Sequence, residues 1–151
     1  MNKPIIISIA ILLIVACFFI KAQIGKIELP VPIMCESEQI AHQLAGFVAT
    51  PILGTGSMFP LIPLIKPGQD PYKTVVAYVT FKSASKFKDI KKGSLIKYKP
   101  IWSKYDVMHV AVEQDGDGWI CSGINNSRSE PQYRVTNENF LGIVDKIYVW
   151  K

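Results

Sequence analysis

Apolar and polar positions change rhythm from one segment of the chain to the next, and each rhythm predicts a different element. From Ile5 to Ile20 every position but Ser8 is apolar, and Lys3 and Lys21 flank the run. Roughly 17 to 25 apolar residues cross a bilayer. Lysine stems that reach the headgroups extend a slightly short run, so residues 1–21 are expected to form a transmembrane helix. Leu29-Pro30-Val31-Pro32 reads as an extended, helix-breaking spacer. Ser37 begins a short helix expected to run through Val48, with Ile40, Leu44 and Phe47 at helical spacing and Glu36 and Glu38 near its start, where negative charge is favourable. His42 lies on this helix as a surface or packing residue, since no other ligand-type residue is spaced to share a metal with it.

Past Thr50-Pro51 the period shortens. Leu61 to Asp70 is rich in Pro and Gly and reads as loop, whereas Thr74 to Phe81 is β-branched and aromatic and reads as strand. Lys82 to Lys92 is a lysine-rich connection, and Gly93 to Tyr98 leads into the next apolar stretch. Val107 to Val112 alternates, with Met108, Val110 and Val112 on one face and Val107, His109 and Ala111 on the other. His109 therefore lies opposite the more apolar face and is expected to point out of the core, toward a cleft. Asp115-Gly116-Asp117-Gly118 offers two hairpin dipeptides before a return strand at Trp119, and Leu141 to Trp150 closes the chain as a last strand. Residues 22–50 are thus expected to be linker and short helix, and residues 51–151 one mainly β domain, strongly twisted or partly closed.

Length and charge narrow the choice. A chain of 151 residues that is 49% apolar supports one core-bearing domain with a short appendage. The net charge of +5 comes from lysines scattered among other residues rather than gathered in a block, so no nucleic-acid partner is expected. Cys17, Cys35 and Cys121 show neither zinc spacing nor a Cys-x-x-Cys pair; at most Cys35 and Cys121 pair with each other. No metal or other cofactor is implied.

The chemistry centres on Gly54-Thr55-Gly56-Ser57-Met58-Phe59-Pro60-Leu61. Glycines before the Ser and a Pro after it present the hydroxyl on a tight turn of low bulk. This run resembles the serine box of the type I signal peptidases, Ser-Gly-Ser-Met-x-Pro, with Thr55 in place of its first Ser. Gly93 to Tyr98 is similar to that family's Gly-Asp-Ile-Val strand, with Ser94 in place of the acid. The closing strand around Gly142 is similar to its Gly-x-Val segment. The resemblance covers about two-thirds of the chain, from Gly54 onward. It implies a β domain of the signal-peptidase or LexA-like type behind an N-terminal transmembrane helix.

A Ser hydroxyl needs a base. Val107-Met108-His109-Val110-Ala111-Val112 resembles the His-Arg-Val-Val segment of the archaeal and endoplasmic-reticulum members, in which His stands where most bacterial members have Lys; Val110 replaces the Arg. The resemblance therefore implies Ser57 as nucleophile and His109 as base. A lysine base would have to come from Lys97, Lys99 or Lys104. An imidazole of ordinary pKa, roughly 6.5, is largely neutral at pH 7 without deep burial. Gly123-Ile124-Asn125-Asn126 is similar to the family's Gly-Asp-Asn-Asn box, with Ile124 in place of the Asp. By the same resemblance Glu130, or failing it Ser129, orients the base. The Ser57 backbone N–H and the Thr55 hydroxyl would stabilise the oxyanion. Asp106, Val107 and Met108 would pair with the substrate as an added strand.

The activity so implied is that of a membrane-anchored serine endopeptidase cleaving signal peptides or similar segments from exported precursors. Its partners would be those precursors and membrane lipid, and its β domain would lie on the trans side of the membrane. Other readings stay open. The first apolar run is a retained anchor or a cleaved signal, and retention is favoured because a cut after Ala22 would put Ile20 at the minus-three position. Ile14-Val15-Ala16-Cys17 also resembles a lipoprotein box, although Phe18-Phe19-Ile20 continues the apolar run past the Cys. The β domain itself is a peptidase or, without catalysis, a membrane-bound binding or assembly subunit. Autoproteolysis of the SOS-repressor kind ranks last, because an apolar run stands where a DNA-binding helix-turn-helix would.

Overall fold

The computed structural model describes residues 29–126 and 134–150. The expected anchor, Cys17, Ser129 and Glu130 lie outside these residues, and among the described residues no helix is long and apolar enough to cross a membrane. The described residues form β1 (Ile33–Cys35), α1 (Glu38–Ala45), β2 (Thr50–Leu53), β3 (Val75–Phe81), β4 (Leu95–Tyr98), β5 (Val107–Asp115), β6 (Gly118–Ser122), β7 (Arg134–Val135) and β8 (Phe140–Trp150), with a 3-10 turn at Phe87–Asp89. The expected mainly β class is correct: the strands form a curled, largely antiparallel sheet, a half-barrel in the order β2-β3-β8-β4-β5-β6-β7.

β8 is the spine. Its first half pairs with β4 through Phe140, Gly142 and Ile143, and its second half with β3 from Val144 to Val149. At its end it also pairs with β1, in parallel, through Tyr148 to Trp150. Gly142 is required by close packing, since a Cβ there would lie 2.7 Å from the Phe81 ring. Three short strands were not apparent in the sequence pattern: β1, β2 and β7. β2 contains Pro51, which argues against a strand, but β2 is the terminal strand of the sheet, where a missing N–H costs no ladder bond.

Both faces of the sheet are buried. Successive residues of a strand point to opposite faces, and Leu95 and Ile96 fall into different apolar clusters. One cluster gathers Met58, Ile62, Val79, Leu95, Met108, Val110 and Ile147; the other gathers Ile90, Ile96, Tyr98, Ala111, Cys121 and Ile143. All four residues of β4 are buried. This corrects the expectation that His109 points out of the core: the face opposite Met108 and Val110 is a second core, and His109, although it borders a cleft, is only 3% exposed.

The helix also differs from expectation. Ser37, in extended conformation, accepts a hydrogen bond from the Ile40 N–H at 3.3 Å, and Gly46, with φ +74°, ends the helix at Ala45. Phe47 and Val48 therefore fall beyond the helix and are exposed, as is Leu44. Ala41 and Ala45 are the buried pair, and their small side chains let the helix lie close on Cys35 and Tyr148. His42 packs edge-on against the Tyr78 ring, with centroids 5.0 Å apart. Cys35 and Cys121 are free thiols in different clusters, so they do not pair; burial pushes the Cys121 thiol up to about 12.

Candidate functional site

The serine segment forms the turn that its glycines predict. Gly54 passes so close to its neighbours that a Cβ would lie 2.1 Å from Ile65 Cγ2, and Gly56 adopts φ +83°, a region that favours glycine. The Thr55 N–H donates to the Leu53 carbonyl at 3.0 Å and the Phe59 N–H to the Gly56 carbonyl at 3.1 Å. Met58 inserts into the larger core cluster and fixes the turn from below. Ser57, at the tip, is partly exposed.

A distant segment clasps this turn. The Asn125 N–H donates to the Ser57 carbonyl at 2.9 Å, and the Asn125 side-chain amide reaches the Gly56 carbonyl at 3.4 Å. A Cβ on Gly123 would lie 2.5 Å from the Ser57 carbonyl oxygen, so only glycine allows this approach. The Gly-Ile-Asn-Asn run is therefore structurally coupled to the serine turn. Ile124, in contrast, is exposed. The Ser57 N–H donates to no described residue, which leaves it available to an incoming acceptor.

Ser57 opens into a cleft of about 640 Å³. One wall is β2 and the serine turn, including Ile52, Leu53, Thr55 and Met58; the other is the start of β5, from Asp106 to His109, with Lys97 of β4. The sequence-predicted residues Thr55, Ser57, Asp106, Val107, Met108 and His109 all line this cleft. Ser129 and Glu130 lie outside the described residues. No hydrogen bond joins Ser57 to His109 among the bonds formed by the described residues.

His109 is positioned by sheet register. It stands opposite Ile96 while Tyr98 stands opposite Val107, so Tyr98 and His109 are diagonal neighbours on one face. The Tyr98 hydroxyl lies 3.2 Å from His109 Nδ1. When Nδ1–H donates to the Tyr98 oxygen, Nε2 keeps the lone pair that a base requires. Burial pushes the imidazole down to about 4, so a ring that would be largely neutral at pH 7 without burial stays neutral well below it.

Lys97 is the cleft residue that sequence pattern placed only among the lysines able to serve as base. It is 8% exposed. Its ammonium lies 3.0 Å from Asp106 Oδ2, and the exposed Lys99 ammonium lies 3.8 Å from Oδ1. The register partner of Lys97 is Met108, and an alternation count on β4 would have placed it on the cleft side. Tyr98 carried no signal in the sequence beyond its strand.

Two sheet edges border the cleft. β2 ends the sheet, and β6 covers β5 only from Val110 to Asp115. Among the described residues, no strand pairs with Val107 or Met108 on the edge away from β4. An extended peptide in the cleft would therefore meet, on both walls, strand edges that no described strand pairs with. Comparison with known proteins returned no match: no family model, no curated protein and no solved structure matches this chain.

Proposed function

We propose that the chain is a serine endopeptidase similar to signal peptidase I, which cleaves an extended segment of a membrane-delivered precursor. The observation that carries this reading is convergence: the serine turn, the start of β5 and the Gly123–Asn126 segment, far apart in sequence, border one cleft. These are the segments that resemble the family's motifs.

The mechanism follows from the groups present. The substrate adds as a strand between β2 and the start of β5, which sets its scissile carbonyl over Ser57. Neutral His109 takes the Ser57 proton through Nε2 as the oxygen attacks, directly or through one water. Tyr98 holds the ring by its other nitrogen. The Ser57 N–H and the Thr55 hydroxyl donate to the oxyanion of the tetrahedral intermediate. His109 then returns the proton to the leaving amine, and water, deprotonated by the same ring, hydrolyses the acyl-enzyme. Glu130 or Ser129 remains the proposed partner for the imidazolium formed in between. The apolar run from Ile5 to Ile20 would anchor the domain on the trans side of the membrane.

Cleavage of a precursor in detergent or membranes tests this: Ser57→Ala should abolish it, and activity that survives the change ends the proposal. One observation favours a second reading, a non-catalytic binding subunit on the same fold. No hydrogen bond joins Ser57 to His109 among the described residues, and Ile124, at the place of the family's Asp, is an exposed apolar residue. A protein that binds precursor yet never acylates at Ser57 would establish that reading.

A further inference from the structure

The cleft is apolar along most of its length, with Ile52, Met58, Ile62 and Met108 in its lining, yet it also contains the buried Lys97. Burying an ammonium costs several kcal/mol unless it is paired. Asp106 supplies that pair, but it is shared: Lys97 meets one of its oxygens and Lys99 approaches the other. Two cations thus stand against one carboxylate, and the cluster has a net positive charge. Lys104 adjoins it, with its backbone carbonyl accepting from Lys99 Nζ at 2.6 Å and its own ammonium 4.9 Å from the Tyr105 ring centroid.

An ammonium carries three N–H donors, and the contact with Asp106 uses one. Asp106, Lys97 and Met108 lie together on the wall where the edge of β5 is open. A side chain that projects from an added strand beside Asp106–Met108 would meet this cluster. In a low-dielectric cleft a carboxylate there gains more than it would in water, whereas an ammonium is repelled. Resting on the peptide-cleft reading above, we infer that the cleft selects substrate segments carrying an Asp or Glu side chain, and that Lys97 is the residue that determines this specificity.

The test is binding of fluorescent peptides to the full chain in detergent, carrying Ser57→Ala so that no turnover intervenes. A parent peptide is scanned with Asp, Ala or Lys at each position in turn. The expected result is one position at which Asp binds at least tenfold more tightly than Ala, and Lys more weakly than either. Adding Lys97→Met should bring the Asp-to-Ala ratio within twofold, Lys97→Arg should retain it, and Asp106→Asn should increase it. A scan with no acid preference, or a preference that persists in Lys97→Met, would overturn the inference. Because binding is read without cleavage, an acid preference that depends on Lys97 in a protein whose wild type cleaves nothing would retain the inference and remove the peptidase. Cleavage of Asp and Ala peptides at equal rates would do the reverse.

Discussion

The two walls of the cleft are built on different principles. The serine wall is fixed by backbone: Gly54 and Gly123 permit approaches that no side chain would survive, Gly56 adopts φ +83°, and the Asn125 N–H holds the Ser57 carbonyl. The strand wall is fixed by burial. Its two basic groups, Lys97 and His109, occupy adjacent strands on opposite faces of the sheet; a carboxylate pairs with the first, and desolvation keeps the second neutral. The difference teaches that a hydroxyl can be presented by turn geometry alone, whereas the character of a basic side chain is set by its surroundings.

The comparison breaks most sharply at Gly123. In Gly123→Val the new side chain would run into the Ser57 carbonyl, so precursor cleavage should fall at least a hundredfold and thermal denaturation should show a loss on the order of 2 to 4 kcal/mol. If the turn wall tolerates Val with full activity, the clasp is not a constraint.

The strand wall responds to pH rather than to bulk. His109 has a folded value of about 4 against an ordinary 6.5. Between those values the unfolded chain binds the proton and the folded chain does not, so stability falls as pH is lowered. The contribution is fully present above about pH 6.5 and is lost by about pH 4. At about 1.4 kcal/mol per pH unit this amounts to roughly 3 kcal/mol. Urea unfolding at several pH values should show this slope in wild type and lack it in His109→Gln. In the same way, the acid limb of precursor cleavage should lie near pH 4 rather than near neutrality, and a limb at pH 6.5 would mean that the ring is solvated during turnover.

Smaller effects sharpen the contrast. Tyr98→Phe removes the hydroxyl beside Nδ1 and leaves the core volume nearly unchanged, so kcat should fall by about three- to tenfold with little change in KM. The smallest effect is expected away from both walls: Ser37→Ala removes the helix cap and should cost about 1 kcal/mol by urea unfolding without altering cleavage.

This contrast also explains how much was legible in the sequence. A turn made by glycines and a proline declares itself, and so does a strand such as Val107 to Val112 that alternates. Burial on the second face of a sheet does not, because it depends on partners that no local pattern names. The outward-facing reading of His109 failed for that reason: Ala111, two positions along its strand, joins Ile96, Cys121 and Ile143 from three other strands in a second core. α1 shows the opposite failure. Leu44 and Phe47 have the right spacing for a buried face, yet Gly46 ends the helix and the close approach to Tyr148 selects alanines instead. β1, β2 and β7, of two to four residues each, are too short to show a period of their own and exist because a neighbouring strand offers an edge.

The dependence of Ser57 acylation on His109 tests the account most directly. Full-length protein in detergent is treated with a serine-directed acylating inhibitor, and the rate of mass gain at Ser57 is followed by intact-protein and peptide mass spectrometry in wild type and in His109→Ala. The account predicts that wild type acquires one acyl group at Ser57 and that His109→Ala does so at least a hundredfold more slowly while remaining folded. Equal rates in the two proteins, or no acylation of Ser57 in either, would contradict it.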